Sequence, residues 1–450
     1  MKSLFGTDGI RGEAGKFPLD EPTVNIIGSS LASYLGTVSS KPPVIVIGRD
    51  TRESGAWLER ALITGASAAG AKCLSAGVIT TPGVAYLTRV MQADAGVVIS
   101  ASHNPYHDNG IKIFAPSGQK IADSVERQIE TDIFNNCGTA PTRMNEALSD
   151  SSSEELRKRY LTFLTDEIGN GLKSDGLTVV LDCANGASSE LAPALFETLG
   201  AQVIAINVSP DGRNINLNCG SLHIESLQAT VVAEKANLGI AFDGDADRSL
   251  FVDAAGNFVD GDATLWVLAT YLLKQQRLNQ EIVVATVMSN IGLEIALRSV
   301  GVELVRTDVG DKYVLEELLR RGASLGGEQS GHIILPELSL AGDGMITALG
   351  LIRAMTDEGG TLQDLTSGFR QYPQVLLNVR VREKVAFSDL PAVQQAVKEV
   401  EERLSQSGRL LLRYSGTEPL ARVMIEGANQ SDIETYAERI AREIREEIGG

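Results

Sequence analysis

The sequence predicts an α/β fold: three similar domains with mixed, largely parallel sheets, then a smaller C-terminal α+β domain. Three observations lead there. At 450 residues the chain exceeds the roughly 250–300 residues at which single hydrophobic cores stop growing. Apolar runs of strand length end in polar or Gly-containing turns and pass into helix-period segments. The pattern recurs at intervals of about a hundred residues, as repeated units would produce it.

Taken in order, residues 44–47 meet Gly48-Arg49-Asp50-Thr51 and then a small-residue amphipathic stretch over 57–69. Residues 96–99 lead into a turn over 100–109, where Pro105, Asn109 and Gly110 predict that the chain stays a loop. Residues 177–181 precede Asp182-Cys183-Ala184-Asn185-Gly186, and 282–287 precede Ser289-Asn290-Ile291-Gly292. Ligands collect at the carboxyl ends of such strands, so chemistry is expected in these turns. The tail predicts a strand over 375–381, a helix after a Ser388 cap, short strands over 410–413 and 421–425, and a charged helix from Asp432. Turn-rich or acidic segments at 148–155, 253–260 and 367–373 divide the chain into domains 1–152, 153–255, 256–369 and 370–450.

Composition narrows the function. With 43% hydrophobic and 22% charged residues the chain is ordinary globular material. A net charge of -18 repels nucleic acid and anionic membranes, so neither is expected as a partner. No apolar stretch approaches the roughly 20 residues needed to cross a bilayer. Cys73, Cys137, Cys183 and Cys219 lack CxxC or metal-finger spacing, and Met-Lys-Ser-Leu-Phe-Gly at the start lacks a signal peptide's apolar run. A reducing cytoplasm is the expected location. In so acidic a chain, a phosphorylated ligand needs locally placed Arg, Lys, backbone N–H groups and metal.

Asp243-Gly244-Asp245-Ala246-Asp247-Arg248 follows the apolar strand-like segment 238–242. Three carboxylates at alternate positions of a curled loop offer hard oxygen ligands suited to Mg²⁺. The plainer alternative is a solvated acidic turn. An EF-hand is excluded, because its sixth and twelfth positions require Gly and Glu, and Arg248 and Ala254 stand there. Ser100-Ala101-Ser102-His103-Asn104-Pro105 places Ser102 at a strand end as a nucleophile or phosphate carrier. Alternatively Ser102 caps a turn and His103 is a surface histidine; Lys112 and the triple-Asp loop, as charge and metal for phosphoryl transfer, favour the first reading. Phe5-Gly6-Thr7-Asp8-Gly9-Ile10-Arg11-Gly12 joins close-approach glycines to the donors of Arg11. Gly327-Glu328-Gln329-Ser330-Gly331-His332 offers Glu328 and Ser330 to sugar hydroxyls, with His332 either a proton shuttle or a packed residue. Arg413-Tyr414-Ser415-Gly416-Thr417-Glu418-Pro419, with Arg422, forms a candidate anion cradle. Walker A and dinucleotide-type glycine motifs are lacking.

SASHNP at 100–105, DGDADR at 243–248, GEQSGH at 327–332 and RYSGTEP at 413–419, in this order, resemble the α-D-phosphohexomutase superfamily along essentially the whole chain. ISASHNP with DNGIKIF, Gln329 within GEQSGH and the SGTEP form of the last loop are similar to its amino-sugar branch. Lys312 stands where that branch usually has Arg, and Ser221-Leu222-His223-Ile224-Glu225 departs from its Ser-Thr-His-Pro-Glu. The resemblance implies four domains around a central cleft, with Ser102 phosphorylated and one Mg²⁺ held by Asp243, Asp245, Asp247 and a phosphoserine oxygen. It implies Arg11, Lys112 and Arg248 around the transferring group, and Glu328 and Ser330 on the sugar. Arg413, Ser415, Gly416, Thr417 and Arg422 would grip the phosphate that does not react. Lys112, His103 and His332 are the candidates for moving protons.

The implied reaction converts glucosamine 6-phosphate to glucosamine 1-phosphate, towards UDP-N-acetylglucosamine. Glucosamine 1,6-bisphosphate, or an equivalent, is the expected phosphorylating activator, a small hexosamine phosphate the substrate, and a homodimer a candidate assembly. Two rivals stand beside it. A phosphomannomutase or phosphoglucomutase would share every loop, with Gln329 the feature against it. A phosphatase with an aspartyl nucleophile would use a D-x-D-x-Thr/Val pattern, but Asp247 occupies its Thr/Val position and Ser102 is left unexplained.

Overall fold

In a computed structural model, which describes residues 4–38, 41–136, 150–405, 407–415 and 418–450, the repeated pattern of the sequence becomes three related sheets. The chain divides into two units, Met1–Met288 with Val305–Thr366, and Ser289–Leu304 with Ser367–Gly450.

In the first sheet the spatial order is Phe5–Gly6, Gly9–Glu13, Asp108–Phe114, Ala95–Ile99, Val44–Arg49, Lys72–Val78. Val44–Arg49 runs parallel to both Lys72–Val78 and Ala95–Ile99. Ala95–Ile99 is buried throughout, which is why it reads as an unbroken apolar run. The expected loop after Pro105 is corrected: from Asp108 the chain turns back as a strand antiparallel to Ala95–Ile99 and to Gly9–Glu13. Gly110 permits this. A Cβ there would lie 2.5 Å from the Ser100 carbonyl oxygen, so glycine marks a close approach of two backbones, not a break in the sheet.

The second sheet runs Phe258–Val259, Ser249–Asp253, Leu238–Phe242, Thr178–Asp182, Gln202–Ile206. Leu238–Phe242 is parallel to Thr178–Asp182 and antiparallel to Ser249–Asp253. The third places Gly326–Gly327 parallel to Ile282–Thr286 and antiparallel to Ile333–Ile334. All three sheets are therefore mixed. In each, a strand parallel to its neighbour passes through a short loop into an antiparallel partner, and those loops carry Ser102, the three aspartates and Glu328. Among the described residues no helix is long and apolar enough to cross a membrane.

The C-terminal unit has an antiparallel sheet in the order Gln374–Arg380, Leu420–Gly427, Gly408–Tyr414. Val379, Val423 and Ile425 pack with Val393 and Val400 of the Pro391–Leu404 helix and Ile440 and Ile444 of Gln430–Ile448. Two helix starts are corrected. Ser388 lies in a separate turn, Phe387–Asp389, and the helix begins at Pro391, whose missing N–H and fixed φ suit a first turn. The last helix starts before Asp432, capped by Asn429, whose side chain accepts from Ser431 N–H.

Candidate active site

The Leu238–Phe242 strand is wholly buried and delivers Asp243, Asp245 and Asp247 into the interior. One carboxylate oxygen from each lies within 4.8 Å of the others. Ala246 at φ 55° curls the loop. Gly244 lets the serine loop come close, since a Cβ there would meet the Ser102 carbonyl oxygen at 2.6 Å. Lys112 Nζ stands 2.9 Å from Asp245 Oδ2 and 3.3 Å from Asp247 Oδ2. Thr81, at the start of the Thr81–Val90 helix, donates its hydroxyl to Asp245 Oδ2 at 2.5 Å and its N–H to the Asp245 carbonyl at 3.0 Å.

Burial pushes the Asp243 carboxyl well above its usual range, and repulsion from Asp247 and Asp245 adds to this. Asp247 goes the other way: burial raises it, but Lys112, His332 and Arg248 together hold it well below. Asp245 Oδ1 and Asp247 Oδ1 are buried without a hydrogen-bond partner among the described residues. Such acceptors are costly to bury unpaired. Asp247 Oδ1 has His332 Nδ1 and Arg248 Nε at the longer ion-pair distances of 3.6 and 3.8 Å; a cluster of three carboxylates with two oxygens left without a hydrogen bond fits a hard divalent cation.

Ser102 sits at the top of the hairpin between Ala95–Ile99 and Asp108–Phe114. Its hydroxyl donates to Asp243 Oδ2 at 2.5 Å and lies 3.3 Å from His103 Nδ1. His103 is pushed down to about 4 by burial and then by Arg248 and Arg11, so it is neutral at neutral pH. Arg248 Nη1 is 3.2 Å from the same His103 nitrogen. Lys112 lies on the returning strand, opposite Val98, and is held protonated: burial lowers its pKa, but Asp245, Asp8 and Asp247 raise it well above the usual value.

A cavity of about 450 Å³ opens between the 4–9 turn and the 309–311 turn, with Arg11, His103, Asp247, Arg248, Glu328 and His332 on its walls. That volume suits a small phosphorylated ligand. His332 Nδ1 is 3.6 Å from Asp247 Oδ1, and its Nε2 is 3.8 Å from Asp311 Oδ2. Burial would lower this histidine's pKa, but Asp247 and Asp311 raise it to about 9. Glu328 accepts from Gly310 N–H at 3.2 Å and from the Ser330 hydroxyl at 3.3 Å. Gln329 instead donates to Asp260 Oδ2 at 3.2 Å, beside the start of the Gly261–Lys274 helix.

Sequence reasoning missed Thr81, Asp8, Lys120 and Asp311. Arg11 pairs with Asp8, Asp8 lies 3.1 Å from Lys112 and 2.8 Å from Lys120, and Lys120 lies 2.7 Å from Asp311. Asp8 had a signal, standing three residues before Arg11 in a Gly-rich turn; Lys120 had none.

In the C-terminal unit, Arg413 and Arg422 are directly opposed on adjacent antiparallel strands. Arg422 Nη2 is 3.4 Å from Glu418 Oε2, and Ser415 is buried, with its hydroxyl accepting from Glu418 N–H at 3.3 Å. Gly416 and Thr417 lie outside the described residues. Like charges directly opposed across strands destabilise a sheet, and a bound anion would relieve them.

The comparisons with known proteins now bear on this arrangement. Residues 2–138, 158–256, 260–372 and 376–443 match, in turn, alpha/beta/alpha domains I, II and III and the C-terminal domain of phosphoglucomutase/phosphomannomutase. The chain belongs to the phosphoglucomutase/phosphomannomutase family. The resemblance read from the four motifs and the expected fold class are both borne out. Among curated members of this family, the phosphoglucosamine mutase of Solibacter usitatus is 51% identical, covering 100% of this chain and 99% of its own length. That of a Geobacter species is 46% identical, with 100% and 99% covered. A phosphoglucomutase/phosphomannomutase family protein from Burkholderia thailandensis shares the fold with a TM-score of 0.79 at 22% identity, covering 99% of this chain and 98% of its own. The Aspergillus fumigatus N-acetylphosphoglucosamine mutase, solved with GlcNAc-6P and magnesium, does so with a TM-score of 0.67 at 20% identity, covering 99% and 96%.

Proposed function

We propose that the chain acts as a phosphoglucosamine mutase, interconverting glucosamine 6-phosphate and glucosamine 1-phosphate through a phosphorylated Ser102 and a glucosamine 1,6-bisphosphate intermediate. The observation that carries the reading is the Ser102 hydroxyl 2.5 Å from Asp243, beside two further buried carboxylates, in a chain whose full-length relatives are named for this activity.

In the forward half-reaction the bond between phosphorus and Ser102 Oγ breaks as a sugar hydroxyl oxygen bonds to phosphorus, and that hydroxyl gives up its proton. In the return half-reaction the other phosphoryl group passes back to Ser102 Oγ. Asp243, Asp245, Asp247 and an oxygen of the Ser102 phosphate would hold Mg²⁺, which offsets charge on the transferring group. Lys112, Arg11 and Arg248 supply fixed positive charge around that group, needing no rearrangement as the reaction proceeds. Lys112, His103, whose Nδ1 is 3.3 Å from Ser102 Oγ, and His332 are the candidates for moving the proton. Glu328 and Ser330 orient the sugar, while Arg413, Ser415, Gly416, Thr417 and Arg422 take the phosphate that does not react. The bisphosphate turns end for end between half-reactions, so one serine serves both. The reading keeps domains 1–152, 153–255, 256–369 and 370–450. It also keeps a cytoplasmic location, supported by the free thiols of Cys73, Cys183 and Cys219.

The test compares kcat/KM on glucosamine, glucose and mannose 6-phosphates, with mass spectrometry of Ser102. A charge-assisted contact from Glu328 to the sugar ammonium is worth roughly 1.5–3 kcal/mol, so a preference of about ten- to a hundredfold for the amino sugar is expected. Equal constants would shift the substrate to a neutral hexose phosphate. An acid-labile phosphate on Asp243, with Ser102 unmodified, would replace the mutase with an aspartyl phosphatase.

A further inference from the structure

The turns Gly48-Arg49-Asp50-Thr51-Arg52 and Asp182-Cys183-Ala184-Asn185-Gly186 close the strands Val44–Arg49 and Thr178–Asp182, and the chemistry above uses neither. Both run against the loops that it does use. Arg52 is fully buried, ion-paired with the equally buried Asp50, and directs Nη2 at two backbone carbonyls of the serine loop, those of Ser102 at 3.1 Å and Asn104 at 2.5 Å. Asn216, from the segment that follows the second turn, donates Nδ2 to the same two oxygens at 2.9 and 3.1 Å. Its own N–H is fixed on the Ala184 carbonyl at 2.9 Å, and Thr51 Oγ1 donates to the Asn185 carbonyl at 2.6 Å. Two donors from different parts of the chain thus converge on one pair of acceptors.

The loop they hold needs holding. Ser102 has φ 52°, a left-handed conformation that a residue with a Cβ adopts only when its surroundings impose it. That conformation aims Oγ at Asp243. We infer that Arg52 and Asn216 are positioning residues for phosphoryl transfer, clamping the Ser102 and Asn104 carbonyls so that the serine stays left-handed with its oxygen beside the carboxylate cluster. The assignment rests on the reading of Ser102 as the phosphate carrier. Neither side chain needs to touch substrate. Loosening the clamp lowers the rate of transfer without altering how sugar is bound, since a displacement of about 1 Å at a reacting atom costs on the order of a hundredfold.

Asn216 is itself left-handed, at φ 58°, so Asn216→Gly removes the amide while keeping a backbone that glycine adopts freely. Arg52→Lys keeps the charge on Asp50 but cannot span two carbonyls with a planar fork. Each variant is compared with wild type for steady-state kcat and KM on glucosamine 6-phosphate, single-turnover loss of phosphate from Ser102, Mg²⁺ dependence and thermal midpoint. The expected result is a ten- to hundredfold fall in kcat and in the single-turnover rate at saturating Mg²⁺, with KM for the sugar phosphate within about twofold and an unchanged midpoint for Asn216→Gly. Wild-type rates in both variants would overturn the clamp, as would a loss of rate that only follows a loss of folded protein. Should wild type turn over without phosphate on Ser102, the underlying reading fails, and that outcome is separate from a phosphorylated wild type matched by Asn216→Gly.

Discussion

The aspartate cluster of the N-terminal unit and the 413–422 loop of the C-terminal unit are both groups of like charge at strand ends, and they handle that charge in opposite ways. Asp243, Asp245 and Asp247 are buried, and Lys112, Arg248 and His332 are buried or nearly so alongside them. Behind these stands the Asp8, Lys120, Asp311 chain. Arg413 and Arg422 face one another across a sheet, and the Arg422 side chain, still 31% exposed, has Glu418 for its carboxylate. The difference separates two tasks. Groups that act on a changing charge are fixed in advance by protein partners, whereas groups that grip a ligand keep a charge for the ligand to neutralise.

The largest effect that bears on this contrast is on turnover. Ser102→Ala should lower kcat by about a thousandfold or more, as loss of a nucleophile does, while circular dichroism and thermal midpoint stay near wild type. A normal rate in that variant would remove Ser102's claim to carry the phosphate.

Next comes stability. Lys112→Met leaves buried carboxylates without their shared cation, and breaking a buried pair costs about 3–5 kcal/mol; urea unfolding measures it. Arg422→Met in the other unit should cost nothing of that kind, and relief from Arg413 should leave the protein as stable as before or a few tenths of a kcal/mol more so. Its effect belongs in KM for the sugar phosphate, raised about ten- to a hundredfold for a lost charged contact of roughly 1.5–3 kcal/mol. If Lys112→Met were harmless to folding and Arg422→Met damaging, the comparison would be reversed.

The sequence revealed the chemistry better than the topology. The strand over 238–242 and the three aspartates are where periodicity and chemistry placed them, because a fully buried strand and a hard-oxygen cluster are both local signals. The return strand Asp108–Phe114 was hidden, since Asn109 and Gly110 read as turn residues until Gly9–Glu13 arrives to pair with them. Lys112 was consequently picked out for its charge, without the strand that carries it. The turns at 48–51 and 182–186 were expected to bear chemistry because they end strands. They support the neighbouring loops instead, and that depends on contacts such as Arg52 to Ser102, fifty positions away, which no local pattern encodes. Gln329, chosen as a mark of sugar preference, points to Asp260.

The smallest effect tests whether compensation in the N-terminal unit depends on position or merely on the number of cations nearby. Asp343 is fully buried and caps the Gly344–Glu358 helix, accepting from Met345 N–H at 2.9 Å, Ile346 N–H at 3.1 Å and the Tyr160 hydroxyl at 2.6 Å. The next residue, Gly344, donates its N–H to the Ala246 carbonyl at 3.1 Å, within the aspartate loop. Burial, with some repulsion from Asp247, pushes its carboxyl from the usual 3.8 up to about 6, where Asp247, with Lys112 and His332 beside it, is driven down. Between those two pH values the folded protein holds a proton on Asp343 that the unfolded chain has released. The stabilisation is therefore fully present below about pH 4 and is lost as pH rises through about 6, opposite in sign to a salt-bridged acid. Asp343→Asn keeps the cap and removes the titration. The unfolding free energy of wild type minus that of the variant should fall by on the order of 2 kcal/mol between pH 4 and pH 6.5, as read from urea unfolding at each pH. A difference that is flat with pH, or that rises, would mean that the distant cations reach Asp343 after all, and that proximity alone does not decide which buried acids of this unit stay charged.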